Sequence, residues 1–254
     1  MFPWHFAPLA FAAEYVDSTL GMGYGTALTP ILFLFGLVPA EVVPAVLLSE
    51  LATDLAGVIL HHRAGNVDFR LGSRDLSLGL TIGLVSAAGA IAGVAASVSL
   101  PNKVVKTYIA SLVLAMGLLM LLRRRRNFLF SFSWRRLLVL LGIGGVASFN
   151  KGISGGGYGP LMMPSQVISG VGPKSAVGIT SFAEAFTCLV GIVSFLVLRP
   201  GTSWHVAPPL IVGAVLAVPL AALTVRRLPQ RSFTFAVALA VVLLGSWSLF
   251  QALR

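Results

Sequence analysis

The sequence predicts an all-α polytopic membrane protein made of two inverted-topology repeats. Three observations carry this: apolar stretches recur along the whole chain, basic residues gather in the gaps between them, and one stretch of sequence occurs twice. The 254 residues are 57% hydrophobic and only 10% charged, with a mean hydropathy of +0.93. A soluble domain carries about a quarter charged residues. A hydrocarbon layer about 30 Å thick needs about 20 apolar residues per helix. Val42–Leu60, Leu76–Val98, Val104–Leu122, Ala176–Leu198, Val206–Val225 and Phe233–Leu253 meet that need. Backbone polar groups in lipid must be bonded within their own segment, so these stretches read as helices.

Five segments are expected in each half. The first half gives 6–20, 24–37, 42–60, 76–98 and 104–122, and the second 137–153, 158–170, 175–198, 206–225 and 232–253. The chain therefore divides into a first membrane repeat over 1–122, a basic cytoplasmic linker over 123–136, and a second, inverted repeat over 137–254. The N-terminal stretch has no basic n-region and carries Glu14 and Asp17, unlike a secretory signal. Cys188 is the single cysteine, which excludes an internal disulfide or a thiolate metal cluster.

The net charge of +10 has a distribution that points to topology rather than to nucleic acid. Lys and Arg collect in cytoplasmic loops. Placing Arg123–Arg126 inside also puts Arg63, Arg70, Arg74, Arg135, Arg136, Lys174, Arg226, Arg227 and Arg231 inside, thirteen of the eighteen basic residues. Lys103, Lys106, Arg199 and Arg254 fall outside, and both termini are expected to be extracytoplasmic. Lys174 and Arg199, near helix ends, read as snorkelling side chains. Trp4, Trp134 and Trp204 read as interfacial anchors. His61 and His62 lack a third ligand for a metal.

Asp17–Ile59 aligns without a gap onto Lys151–Val193 at a constant offset of 134, with 12 identities in 43 pairs. Chance would give about four, so the stretch is a duplication. The identities include Gly21/Gly155, Gly23/Gly157, Tyr24/Tyr158, Gly25/Gly159, Gly36/Gly170, Pro39/Pro173 and Glu50/Glu184. An odd number of segments per repeat turns the second copy over in the bilayer, as the charge-derived topology independently requires. Inverted repeats are typical of secondary transporters, whose sites lie near the membrane midplane.

The first two segments of each half are short, and each pair is broken by a glycine run, Gly21-Met-Gly-Tyr-Gly25 and Gly155-Gly-Gly-Tyr-Gly159. They read as hairpins of short helices that turn inside the membrane. Helix N-termini placed there offer unpaired N–H groups and the positive end of the helix dipole, an anion site without a basic side chain. The other reading of the glycines is close helix packing. The expected ligands are Gly23, Tyr24, Gly25 and Thr26 in one copy and Gly157, Tyr158 and Gly159 in the other, with Asn150, Lys151 and Ser154 nearby.

Gly21–Pro30 followed by Gly36-Leu-Val-Pro39, and Ser154-Gly-Gly-Gly157 through Pro164 followed by Lys174-Ser-Ala-Val-Gly178, resemble the two signature stretches of the TauE/SafE sulfite exporter family. Gly65-Asn66-Val67-Asp68 resembles the family's first loop. The first copy reads Gly21-Met22-Gly23 where the family pattern has a longer glycine run, and Lys151 stands outside the general pattern. The resemblance covers nearly the whole chain. It implies transport of sulfite, thiosulfate or an organosulfonate such as sulfoacetate across the bacterial cytoplasmic membrane. An anion channel of the same architecture, or a carrier of another small organic anion, would share these features.

Charge inside a membrane is expensive and points to function. Glu50, Thr53, Asp54 and Gly57 share one helical face, and Thr180, Glu184, Thr187, Cys188 and Gly191 share its counterpart. Glu50, Glu184, Asp17 and Asp54 are the candidates for coupling to a proton, or to sodium. Several acids around an anion would repel it unless some carry a proton, which favours proton linkage. Asp17 and Lys151 occupy equivalent places and either pair with each other or leave Lys151 free to hold the anion. No His-Glu-x-x-His motif, nucleophile elbow or phosphate-binding loop occurs. Neither catalysis, a cofactor nor a metal site is expected, and the partners expected are a small anion and the lipid bilayer.

Overall fold

A computed structural model of the chain describes residues 2–20, 23–122, 134–224 and 230–253. After a single 3-10 turn at Trp4–Phe6, the described residues form α1 (Ala7–Leu20), α2 (Tyr24–Leu34), α3 (Pro39–Arg63), α4 (Arg74–Ser99), α5 (Asn102–Leu122), α6 (Trp134–Ser154), α7 (Gly159–Ile168), α8 (Pro173–Leu198), α9 (Ala207–Thr224) and α10 (Gln230–Leu253). The helices follow the segments read from the sequence. Within α3, α4, α6 and α8, four stretches are long and apolar enough to cross a bilayer, and Tyr24–Leu34 and Ala207–Ala221 are shorter apolar helices. Residues 123–133 of the expected basic linker lie outside the described residues, as do Gly21, Arg226, Arg227 and Arg254. Positions 134–136 open α6.

Local sequence explains where the short helices stop. Gly36 and Gly170, equivalent in the duplication, adopt φ of +88° and +93°, a conformation in which glycine alone avoids a side-chain clash. The backbone N–H of Leu37 donates to Leu32 and that of Gly36 to Phe33. Val171 and Gly170 repeat the pattern onto Gln166 and Val167. This is the same Schellman-type cap in both halves. Pro39 and Pro173 then begin α3 and α8, where the missing proline N–H removes no helical bond. A Cβ at Gly36 would meet nothing within 4 Å, so Gly36→Ala should cost about 1 kcal/mol through backbone strain alone. The expected readout is a melting temperature lower by about 2–4 °C.

Two of the buried clusters are related by the offset of 134. Phe6, Ala13, Tyr24, Leu28, Val42 and Ala45 pack with the α9 residues Ala207 and Leu210. Leu140, Ala147, Tyr158, Met162, Ala176 and Ile179 are their equivalents and pack with the α4 residues Leu78 and Ile82. The first helix of each half thus rests on the fourth helix of the other half, α1 on α9 and α6 on α4, while α3 packs on α8 and α5 on α10. Interleaving of this kind makes one continuous body of the two halves. Outward positions such as Leu84, Val139, Val197 and Leu216 are apolar and exposed, as a lipid-facing surface requires. Trp4 is exposed, whereas Trp204 is half-buried against the inner clusters rather than free at an interface. His62 Nδ1 lies 3.3 Å from the Val67 carbonyl and accepts from the Phe69 N–H, fixing the loop after α3.

Candidate functional site

Lys151 stands in the last turn of α6 and is fully buried. Its ammonium donates to Glu50 on α3 and, at 2.6 Å, to Glu184 Oε1 on α8. An ammonium without a partner in such a place would cost several kcal/mol, and two carboxylates supply the compensation. The charge pair open to Asp17 and Lys151 therefore does not form. Asp17 Oδ1 instead accepts the Tyr24 N–H at 3.0 Å, and Glu50 Oε1 accepts the Gly25 N–H at 3.3 Å. The N-terminus of α2 is thus an anion site whose anions are the protein's own carboxylates, placed where the helix dipole favours them.

The two glycine turns cross in direct contact. A Cβ on Gly25 would fall 1.9 Å from the Gly155 carbonyl oxygen, and one on Gly156 would fall 2.5 Å from the Gly25 carbonyl carbon. Two polar contacts fasten the crossing and a third holds the second turn itself. The Gly157 N–H donates to Thr26 Oγ1 at 3.1 Å, Thr29 Oγ1 donates to the Ser154 carbonyl at 3.0 Å, and Ser154 Oγ accepts the Gly156 N–H at 3.0 Å. Close packing and helix N-termini, the two readings of the glycine runs, are both present here.

The structure brings Gly23, Tyr24, Gly25, Thr26, Ser154, Gly157, Tyr158 and Gly159 together at this buried crossing, with Lys151, Glu50 and Glu184 beside it. The tyrosine hydroxyls turn to serines, Tyr24 to Ser49 at 2.7 Å and Tyr158 to Ser86 at 3.1 Å. Asn150 is buried and its Oδ1 accepts from Tyr108 of α5. Asp54 and Glu14 are buried, and Asp54 Oδ2 and Glu14 Oε2 find no hydrogen-bond partner among the described residues. Glu50 and Glu184 thus hold the ammonium, and Glu14, Asp17 and Asp54 are further acids on α1 and α3. Sequence reasoning did not reach Tyr108, Ser49 or Ser86. Their only signal was a hydroxyl within an apolar helix, which does not say what it faces.

The family model described as sulfite exporter TauE/SafE matches residues 6–247. The chain belongs to this family. It is also 29% identical, over 235 residues, to the probable membrane transporter protein YtnM of Bacillus subtilis (strain 168), covering 87% of this chain and 74% of the relative. No solved structure matches. As a TauE/SafE protein it is a membrane transporter, in keeping with its apolar helices. The glycine stretches and the Gly65–Asp68 loop that carried the resemblance lie within the matched region.

Proposed function

We propose that this transporter moves a small sulfur-containing anion such as sulfite, thiosulfate or sulfoacetate across the cytoplasmic membrane by alternating access, coupled to protons. The observation that carries the reading is the buried Lys151 held between Glu50 and Glu184 where the two glycine turns meet. An incoming anion reaches the ammonium only by displacing a carboxylate. A proton on Glu50 or Glu184 removes the competing charge, so proton uptake and anion binding favour each other. Ionised, the lysine and two glutamates sum to −1, and one proton or one cation brings the triad to neutrality. The remaining buried acids, Glu14 and Asp54, add to the demand for protons, because uncompensated charge is costly in a low-dielectric interior.

The repeat-related clusters and matched helix caps support two equivalent halves, and the gathering of Lys and Arg in the loops supports their inversion across the bilayer, with the basic loops inside and both termini outside. The repeats span 1–122 and 137–254, joined by the basic stretch at 123–136. The sulfur assignment rests on the family description.

Uptake into proteoliposomes under an imposed pH gradient tests the reading, with sulfite, thiosulfate, sulfoacetate, taurine, sulfate, acetate and chloride as substrates. One sulfur anion is expected to accumulate when protons flow with it. Glu50→Gln and Glu184→Gln should retain binding, seen as ligand-dependent thermal stabilisation, and lose pH-driven accumulation. Rapid flux that ignores pH would identify a channel instead, and accumulation of acetate alone would remove the sulfur assignment.

A further inference from the structure

A cleft of about 90 Å³ opens between α2, α5 and α10, away from the Lys151 triad. Pro30, Phe33, Lys106, Ile109, Ser248 and Gln251 line it. Lys106 is half-buried, its Nζ 5.4 Å from the centre of the Phe33 ring, and no carboxylate among the described residues lies within 4 Å of it. Ser248 is only 8% exposed, and its Oγ has no hydrogen-bond partner among the described residues. A buried hydroxyl without a partner costs free energy unless something in the cleft completes it. An ammonium and a buried hydroxyl, neither with an ionic or hydrogen-bond partner among the described residues, and the Gln251 amide form a recognition set for a small oxoanion. The volume equals that of about three waters, which suits such an ion.

The cleft also leads inward. Ile109, only 1% exposed, forms part of its floor. The same residue walls a narrow gap, too tight for a water, that is lined by Thr26, Ser154, Gly156 and Gly157 at the glycine crossing. A chain of positions therefore runs from Lys106 through Ile109 to the glycine turns.

We propose that the α2–α5–α10 cleft is a second anion site, an outer vestibule where Lys106 and Ser248 collect the small oxoanion before it passes Ile109. The inference rests on the transport reading above for the identity of the ion, but the site itself is testable without it. In proteoliposomes, Lys106→Gln and Ser248→Ala should each raise KM for the transported anion about fivefold, equivalent to roughly 1 kcal/mol, and leave kcat within about twofold. Unchanged KM in both variants would overturn the vestibule.

If no sulfur anion is transported, the transport reading fails, and emission from a tryptophan placed in the cleft lining as Phe33→Trp, with Trp4, Trp134, Trp204 and Trp247 each changed to Phe, then reads the vestibule by quenching. Lys106→Gln should weaken quenching by iodide while quenching by neutral acrylamide stays the same. Equal iodide quenching in the two proteins would overturn the vestibule on its own. An anionic phospholipid headgroup offers the same chemistry, so the comparison is made in vesicles with and without anionic lipid. Effects that persist in neutral lipid support a free anion, and effects confined to anionic lipid overturn it.

Discussion

Replacing Lys151 with alanine is expected to abolish anion binding and to lower transport on the order of a hundredfold or more, the equivalent of roughly 3 kcal/mol. The residue is wholly buried and is the shared partner of Glu50 and Glu184. Its removal leaves two carboxylates facing each other across α3 and α8. Breaking a buried ion pair from one side costs about 3–5 kcal/mol, so Lys151→Ala should also melt earlier, and acidification, which discharges the stranded carboxylates, should recover part of that loss. The combination Lys151→Met, Glu50→Gln and Glu184→Gln separates stability from function. It removes the charges together and should restore the melting temperature while transport stays absent. Wild-type uptake by Lys151→Ala would remove the lysine from the mechanism.

The second large effect is expected at the glycine crossing. Gly156→Ala would place a methyl group 2.5 Å from the Gly25 carbonyl carbon and 2.6 Å from the Thr26 nitrogen. Both obstacles are backbone, so neither can turn aside as a flexible side chain would. Overpacking of this kind costs about 1–3 kcal/mol, read as a melting temperature lower by about 2–12 °C. Transport should fall further than stability does. Separating the turns breaks the Gly157-to-Thr26 bond and shifts the Gly25 N–H that holds Glu50. Thermal melting and uptake measured on the same preparation check both halves, and a variant with normal melting and normal uptake would refute the contact.

Much of the fold was legible because it rests on local rules. Apolar length gave the helices, and Gly36 with Pro39 and Gly170 with Pro173 marked where one ends and the next begins. The duplication gave the correspondence that the two buried clusters display. The partners of Lys151 were not legible. Equivalence to Asp17 suggested a pair, but equivalent positions in two copies of a repeat need not face each other. Glu50 and Glu184 lie close enough for one ammonium to bridge them, whereas Asp17 turns to the start of its own α2. The helix N-termini were foreseen as anion sites, but not that Asp17 and Glu50 fill the one at α2. That depends on how far α3 reaches past the glycine turn, a tertiary distance that no spacing in the sequence encodes.

The substitution of a lysine in one repeat for an aspartate in the other has a further consequence. Glu14, Asp17, Glu50 and Asp54 all belong to the first half, while at the equivalent positions the second half carries Ser148, Lys151, Glu184 and Cys188. In a carrier with two identical inverted halves, a two-fold rotation would exchange the inward-open and outward-open forms and make them equal in energy. Under the alternating access proposed above, this lopsided charge would make the two forms unequal in energy, give the carrier a resting form, and let the membrane voltage act unequally on the two directions of travel.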